Sequence, residues 1–321
     1  MRHNISIRKN AVLNVIRQAC AIAFPFLTFI YATHILGAEQ MGVHAFGQSV
    51  VSYFIYIAMM GIPDYAVREA AMLRDDDEKL CKFVNEIFSI NLITMAMAYG
   101  MLFLLLEVWG KLHPYRYVIL VQSIQIVLTA FGADWINVAF EDFLYLTVRY
   151  IAIGAGCILA MLLFVKNEKD LYAYTFLLMF SAAGGNIWNI FYVRRYIKIR
   201  PTLCLNLKKH IPSMLMFFCS SIALVIYLNS DMTILGLIKD DITVGIYSVS
   251  TKIYLMIKAL VNAVIMAVVA RLSYQIAHSQ LDSYRQTVSK LVDSLFLLII
   301  PASVGLFFEA ENIIYPELFT E

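Results

Sequence analysis

Apolar runs of about 20 residues, separated by short polar turns, constrain this chain more than any other feature. Nine are legible, at 11–35, 43–63, 83–106, 117–140, 144–165, 171–193, 211–228, 244–269 and 291–308. That length is what a helix needs to cross the hydrocarbon core of a bilayer, roughly 30 Å thick. Lipid offers backbone groups no hydrogen-bond partner, so a spanning segment that closes its own hydrogen bonds must be helical. The short alternating segments of a β-barrel are absent. Composition agrees: 61% of residues are hydrophobic, 15% are charged and the mean hydropathy is +0.73. The sequence predicts an all-α polytopic membrane protein with about nine transmembrane helices. The first run is too long for a signal peptide, carries Arg17 and lacks a small-residue cleavage site, so it is read as retained.

Lys and Arg set the orientation. With the N-terminus inside, sixteen of them fall in cytoplasmic segments, including Arg68, Lys82, Arg194 and Lys208; five (Lys111, Arg116, Lys166, Lys169 and Lys239) fall outside. A cytoplasmic N-terminus is expected. The net charge of +2 adds little, because charge is distributed by side rather than held in excess.

Two stretches read alike. Ile35-Leu36-Gly37 precedes a polar turn and Gly42-Val43-His44-Ala45; Ile234-Leu235-Gly236 precedes an acidic turn and Gly245-Ile246-Tyr247-Ser248. Matches in the same order at the same point of a hydrophobic hairpin suggest a duplicated bundle. The basic segment from Arg194 to His210, with Arg200-Pro201 favouring extended chain, is the best linker. The expected division is a six-helix N-terminal lobe, 1–200, and a partial second lobe of three helices, 201–321. An even helix count in the first lobe makes the repeats parallel, related by an axis along the membrane normal.

Polar residues at membrane depth are the candidate site, because charges there are costly and generally face a bundle interior or an aqueous cavity. Asn10, Asn14, Arg17 and Gln18 fall within about 100° of arc on the first helix, and Ser248, Thr251, Lys252, Lys258 and Asn262 within about 120° on the eighth. Each helix thus carries one cationic stripe. Arg17, Lys252 and Arg149 lie close enough to helix ends to snorkel to the interface; Lys258 lies near mid-helix, where that is harder. Asp134 could balance Arg17 or Arg149, or bind a coupling cation. The run Asp75-Asp76-Asp77-Glu78 reads as a solvated loop face rather than a metal site, and Gly184-Gly185 as a place of close helix packing. The five cysteines form no C-x-x-C pair and the six histidines no i, i+4 pair, so neither disulfide, metal nor cofactor is indicated.

Several segments resemble the polysaccharide flippase family, the O-antigen translocases of the multidrug and oligosaccharidyl-lipid exporter superfamily. Tyr31-Ala32-Thr33-His34-Ile35-Leu36-Gly37 through Gly42 is similar to its first-hairpin pattern, with His34 where arginine is usual. Gly61-Ile62-Pro63 with Arg68-Glu69-Ala70 resembles its second-helix exit. Asp134-Trp135 with Glu141-Asp142-Phe143 resembles its Trp-to-Glu motif, with Ala139 in place of a glycine. Asp231 through Lys252-Ile253 resembles the start of its second lobe. Arg271-Leu272-Ser273 resembles the eighth-helix exit, with Ala270 for proline.

The resemblance implies translocation of undecaprenyl-pyrophosphate-linked oligosaccharide across the bacterial inner membrane. Its implied partners are that lipid-linked substrate, the bilayer and other polysaccharide-assembly membrane proteins; no nucleic acid is expected. Arg17, Lys252, Lys258 and Arg149 would bind the pyrophosphate, with Asn14, Gln18, Ser248, Thr251 and Asn262 lining the cavity. The alternatives are a cation-coupled multidrug-type exporter, a membrane glycosyltransferase or polymerase, and an inactive truncated transporter. Members generally have twelve or more helices, so nine suggests a truncated or interrupted member.

Overall fold

A computed structural model of the chain describes residues 7–278 and 280–314. Among these the regular structure is helical, without strands: α1 (Ile7–Met59), α2 (Ile62–Leu73), α3 (Asp77–Val108), α4 (Arg116–Gly132), α5 (Asp134–Ala139), α6 (Phe143–Phe164), α7 (Leu171–Ala183), α8 (Gly185–Val193), α9 (Leu207–Ile238), α10 (Asp241–Ala277) and α11 (Leu281–Ile314). The protein is an all-α polytopic membrane protein.

Seven stretches among the described residues are long and apolar enough to span a bilayer. The sequence led to nine. The runs 11–35 and 43–63 fall in a single stretch, Val12–Leu73, and α10 is not among the seven. A straight helix the length of α1 would be about 80 Å long, more than twice the hydrocarbon thickness. Gly37 interrupts it, at φ 72° and ψ 173°, a conformation that glycine reaches without steric cost.

Two further expected runs are broken. The run 117–140 ends its first helix at Gly132, turns through Ala133 in the left-handed region (φ 46°) and restarts as α5 at Asp134. Asp134 therefore begins a short helix with its side chain 42% exposed, instead of being buried within a continuous one. The run 171–193 divides at Gly184 into α7 and α8. A methyl group on Gly185 would meet Ile153 and Arg149 of α6, so the glycine pair does permit close packing.

Packing divides the chain into two compact units, Met1–Gly245 and Ile246–Glu321. The boundary lies about 45 residues beyond the linker read from the sequence. In the first unit α1 packs against α3, α4, α6 and α9. One apolar cluster joins Ile62, Tyr65, Phe83, Trp135, Val193 and Met214, tying α2, α3, α5, α8 and α9 together. A second gathers Phe46, Phe54, Leu102, Ile119 and Val244. Gly61 (φ 71°) sits at the entry to α2, where a side chain would strike the α9 backbone at Met214 and Phe218. In the second unit, α10 and α11 line one cavity, and no residue in the apolar window of α11 is fully buried.

One residue of the acidic loop has a structural role. Asp76 caps α3, accepting from the Lys79 backbone N–H at 3.0 Å, and pairs with the Lys79 ammonium at 2.8 Å. Those contacts with Lys79 hold its carboxyl below the usual range.

Candidate functional site

The expected site residues separate between the units. Asn14, Arg17, Gln18, Asp134 and Arg149 belong to the first; Ser248, Thr251, Lys252, Lys258 and Asn262 to the second.

In the first unit, α6 carries Arg149 inward with its side chain only 13% exposed. Its Nη2 donates to Asp134 Oδ2 at 2.6 Å, so Asp134 balances Arg149, one of the two partners open to it from the sequence. The pair is embedded in an amide network. Asn189 donates to Asp134 Oδ1 at 2.9 Å and to the Gly132 carbonyl; Asn137 donates to Asn189 at 2.7 Å. The kink at Ala133 makes this possible, because it exposes the Gly132 carbonyl and turns Asp134 towards α6 and α8. The Arg149 guanidinium also lies 5.4 Å from the Tyr145 ring centroid, and Tyr145 stacks on Tyr192.

Arg149 is not fully spent. Its Nη1 is buried and makes no hydrogen bond of normal geometry among the described residues, the Tyr145 hydroxyl being the polar group that interacts with the guanidinium there. Arg17 is in the same condition: Nη2 donates to Asn14 at 3.0 Å, while its buried Nε has no hydrogen-bond partner among the described residues. Thr147 of α6 donates to the Leu13 carbonyl of α1, and Gly154 of α6 approaches Phe24 of α1. Those contacts bracket Arg17 and Arg149 on adjoining helices. Two guanidinium groups with unused donors at membrane depth are equipped to hold a doubly charged oxyanion, because each planar fork can offer paired N–H groups.

Of the other stripe residues, Asn10 reaches Glu141 at 3.5 Å and Gln18 is exposed. In the second unit Ser248 is buried, and Thr251 donates to its own helix at the Tyr247 carbonyl. Lys252 and Asn262 are exposed, and Lys258 stands 5.8 Å from the Tyr254 ring centroid.

Three polar constellations escaped the sequence reading. Glu86, His210 and Tyr65 form a buried chain: His210 Nε2 lies 2.8 Å from Glu86 Oε2, and the Tyr65 hydroxyl 2.7 Å from His210 Nδ1. Asp142 accepts from the Tyr192 hydroxyl at 2.6 Å and the Tyr196 hydroxyl at 2.7 Å, and caps α6 through the Tyr145 N–H. Burial, and then the Asp142 carboxylate, push the Tyr196 phenol up to about 12. Gln122, fully buried, donates to the His44 carbonyl at 3.0 Å, and His44 Nδ1 lies 3.1 Å from the Thr175 hydroxyl. Glu86 was visible as a carboxylate inside an apolar run; its partners, from 21 to 124 residues away, were not.

Residues 7–275 match the family described as polysaccharide biosynthesis protein. The chain belongs to that family. It is 24% identical over 279 residues to an Escherichia coli (strain K12) protein named "Putative O-antigen transporter". The match covers 84% of this chain and 66% of that protein, so it spans just under two thirds of the relative's length. No solved structure matches. Tyr31, at the head of the resemblance noted above, donates to the Val165 carbonyl at 2.9 Å, fastening α1 to the end of α6. Glu141, from the Trp-to-Glu segment, pairs with Arg74 at 3.2 Å. Several residues carrying the resemblance thus hold helices together.

Proposed function

We propose that the chain translocates polyprenyl-pyrophosphate-linked oligosaccharide across the bacterial inner membrane, in a member with a cytoplasmic N-terminus. The observation that carries this reading is the pair of bracketed, incompletely satisfied guanidinium groups of Arg17 and Arg149. A pyrophosphate cannot enter hydrocarbon unaided, because desolvating its charge costs far more than lipid returns. Buried arginines replace water as its partners. Lys252 and Lys258 would also bind the pyrophosphate, with Asn14, Gln18, Ser248, Thr251 and Asn262 as polar lining. Two lobes, 1–200 and 201–321, would move about this site to expose it alternately.

The family and the name of the E. coli relative support transport in surface-polysaccharide assembly over glycosyl transfer. The pairing of Asp134 with Arg149 argues against Asp134 as the cation site of a drug exporter, since that carboxylate is already engaged by a cation and an amide. Expression of the chain in a strain lacking its O-antigen flippase tests the reading. Restored surface polysaccharide is expected; none, at normal membrane abundance, would refute it.

A further inference from the structure

Within the second unit, α10 and the first half of α11 line a cavity of about 320 Å³. Its wall is mixed: Arg271 and Lys290 contribute cations, Val264, Val268 and Leu291 apolar surface, and Ser283, Gln286, Thr287 and Ser294 polar groups along the α11 side. None of the lining residues is acidic. Cations near a helix end can simply reach for interfacial water, and that would explain Arg271 and Lys290 taken alone.

Gln275 is what that explanation leaves out. It lines the same cavity, is only 4% exposed, and its Oε1 accepts no hydrogen bond from any described residue. A buried amide oxygen without a protein donor is costly, so the donor must come from what fills the cavity, water or a ligand. Such a ligand must bring negative charge to Arg271 and Lys290, a hydroxyl to Gln275, and an apolar portion to Val264, Val268 and Leu291.

We infer that this cavity binds a hydroxyl-bearing phosphate headgroup of an amphiphile, at a site separate from the arginines of the first unit. The phosphate lies between the Arg271 guanidinium and the Lys290 ammonium, the neighbouring hydroxyl donates to Gln275, and the hydrocarbon follows the apolar wall. Two sources share this chemistry: a phospholipid such as phosphatidylglycerol, and a polyprenyl-pyrophosphate saccharide.

Native mass spectrometry of the full chain in detergent separates them. The purified protein is offered phosphatidylglycerol, a polyprenyl-pyrophosphate disaccharide and inorganic pyrophosphate in separate titrations. Retention of one or both lipids is expected, weakened at least about tenfold in R271A/K290A by the loss of two charge-assisted contacts. Gln275→Leu should weaken retention several-fold, and it carries the test should the double variant not be recovered. Retention of phosphatidylglycerol identifies a resident membrane lipid; retention of the saccharide alone identifies a station on the transport path. Unchanged retention in both variants, or binding of inorganic pyrophosphate alone, would overturn the proposal. No transport is measured, so this result stands or falls independently of the function proposed above.

Discussion

Gly42 and Gly245 bring two helices into reciprocal backbone contact. A methyl group on Gly42 would strike the Asp241 carbonyl, and one on Gly245 the Ala38 carbonyl. Residues 38 and 42 therefore stand to 241 and 245 as the second pair stands to the first. These are the glycines of the two stretches that read alike in the sequence, so the similarity falls on one two-sided contact.

Gly42→Val or Gly245→Val should lower stability by about 1–3 kcal/mol, the usual cost of forcing carbon into a packed contact. Gly156→Ala is the matched control, because a methyl group there meets nothing within 4 Å. Thermal unfolding in detergent should show both valine variants melting earlier and the control unchanged or slightly higher, as alanine favours helix over glycine.

The buried chain from Tyr65 through His210 to Glu86 gives a second test. A neutral histidine that donates from Nε2 to Glu86 and accepts at Nδ1 from Tyr65 satisfies all three groups. Glu86→Ala and His210→Ala should each cost about 1–3 kcal/mol, because each strands the other's buried polar atom. The double variant should cost clearly less than the two singles added, and strict additivity in a double-mutant cycle would show that the contact contributes nothing.

Asp134 and Arg149 should also be coupled, but with a different readout. Arg149→Ala leaves a carboxylate facing Asn189 without its cation, whereas Asp134→Asn keeps the hydrogen-bonding shape and frees the guanidinium. If Arg149 contacts substrate, Asp134→Asn should keep folded protein while Arg149→Ala loses surface polysaccharide more than membrane abundance. Equal loss of both in Arg149→Ala would reduce the residue to a structural one.

Much of this arrangement is legible in the sequence. Run length and apolarity are local properties, so helices appear in every expected run. The breaks at Gly132-Ala133 and Gly184 were hidden, because neither a left-handed alanine nor a glycine inside an apolar run announces itself in hydropathy. Asp134 shows the consequence. It reads as mid-helix from the sequence, yet the kink places it at a helix start, with Arg149 15 residues away. Glu86 and His210 were illegible for the opposite reason, since their contact depends on how α9 meets α3, which no local pattern encodes.

The orientation rests on sixteen cationic residues against five and is directly testable. A reporter active only in the cytoplasm should be active when fused after Lys82 or Lys208, and silent after Lys111 or Lys239. The reverse pattern would invert the assignment of sides.

The central claim is that cations at membrane depth carry a pyrophosphate through the membrane, and substitution of Arg17 tests it most directly. Surface polysaccharide is measured in a flippase-deficient strain carrying the wild-type chain, Arg17→Ala, Arg17→Lys or Lys252→Ala, with each protein's membrane abundance determined in parallel. Loss of polysaccharide in both alanine variants at unchanged abundance is expected. Arg17→Lys should retain part of the activity, because charge is kept while the bidentate fork is lost. Wild-type polysaccharide from both Arg17→Ala and Lys252→Ala would contradict the account.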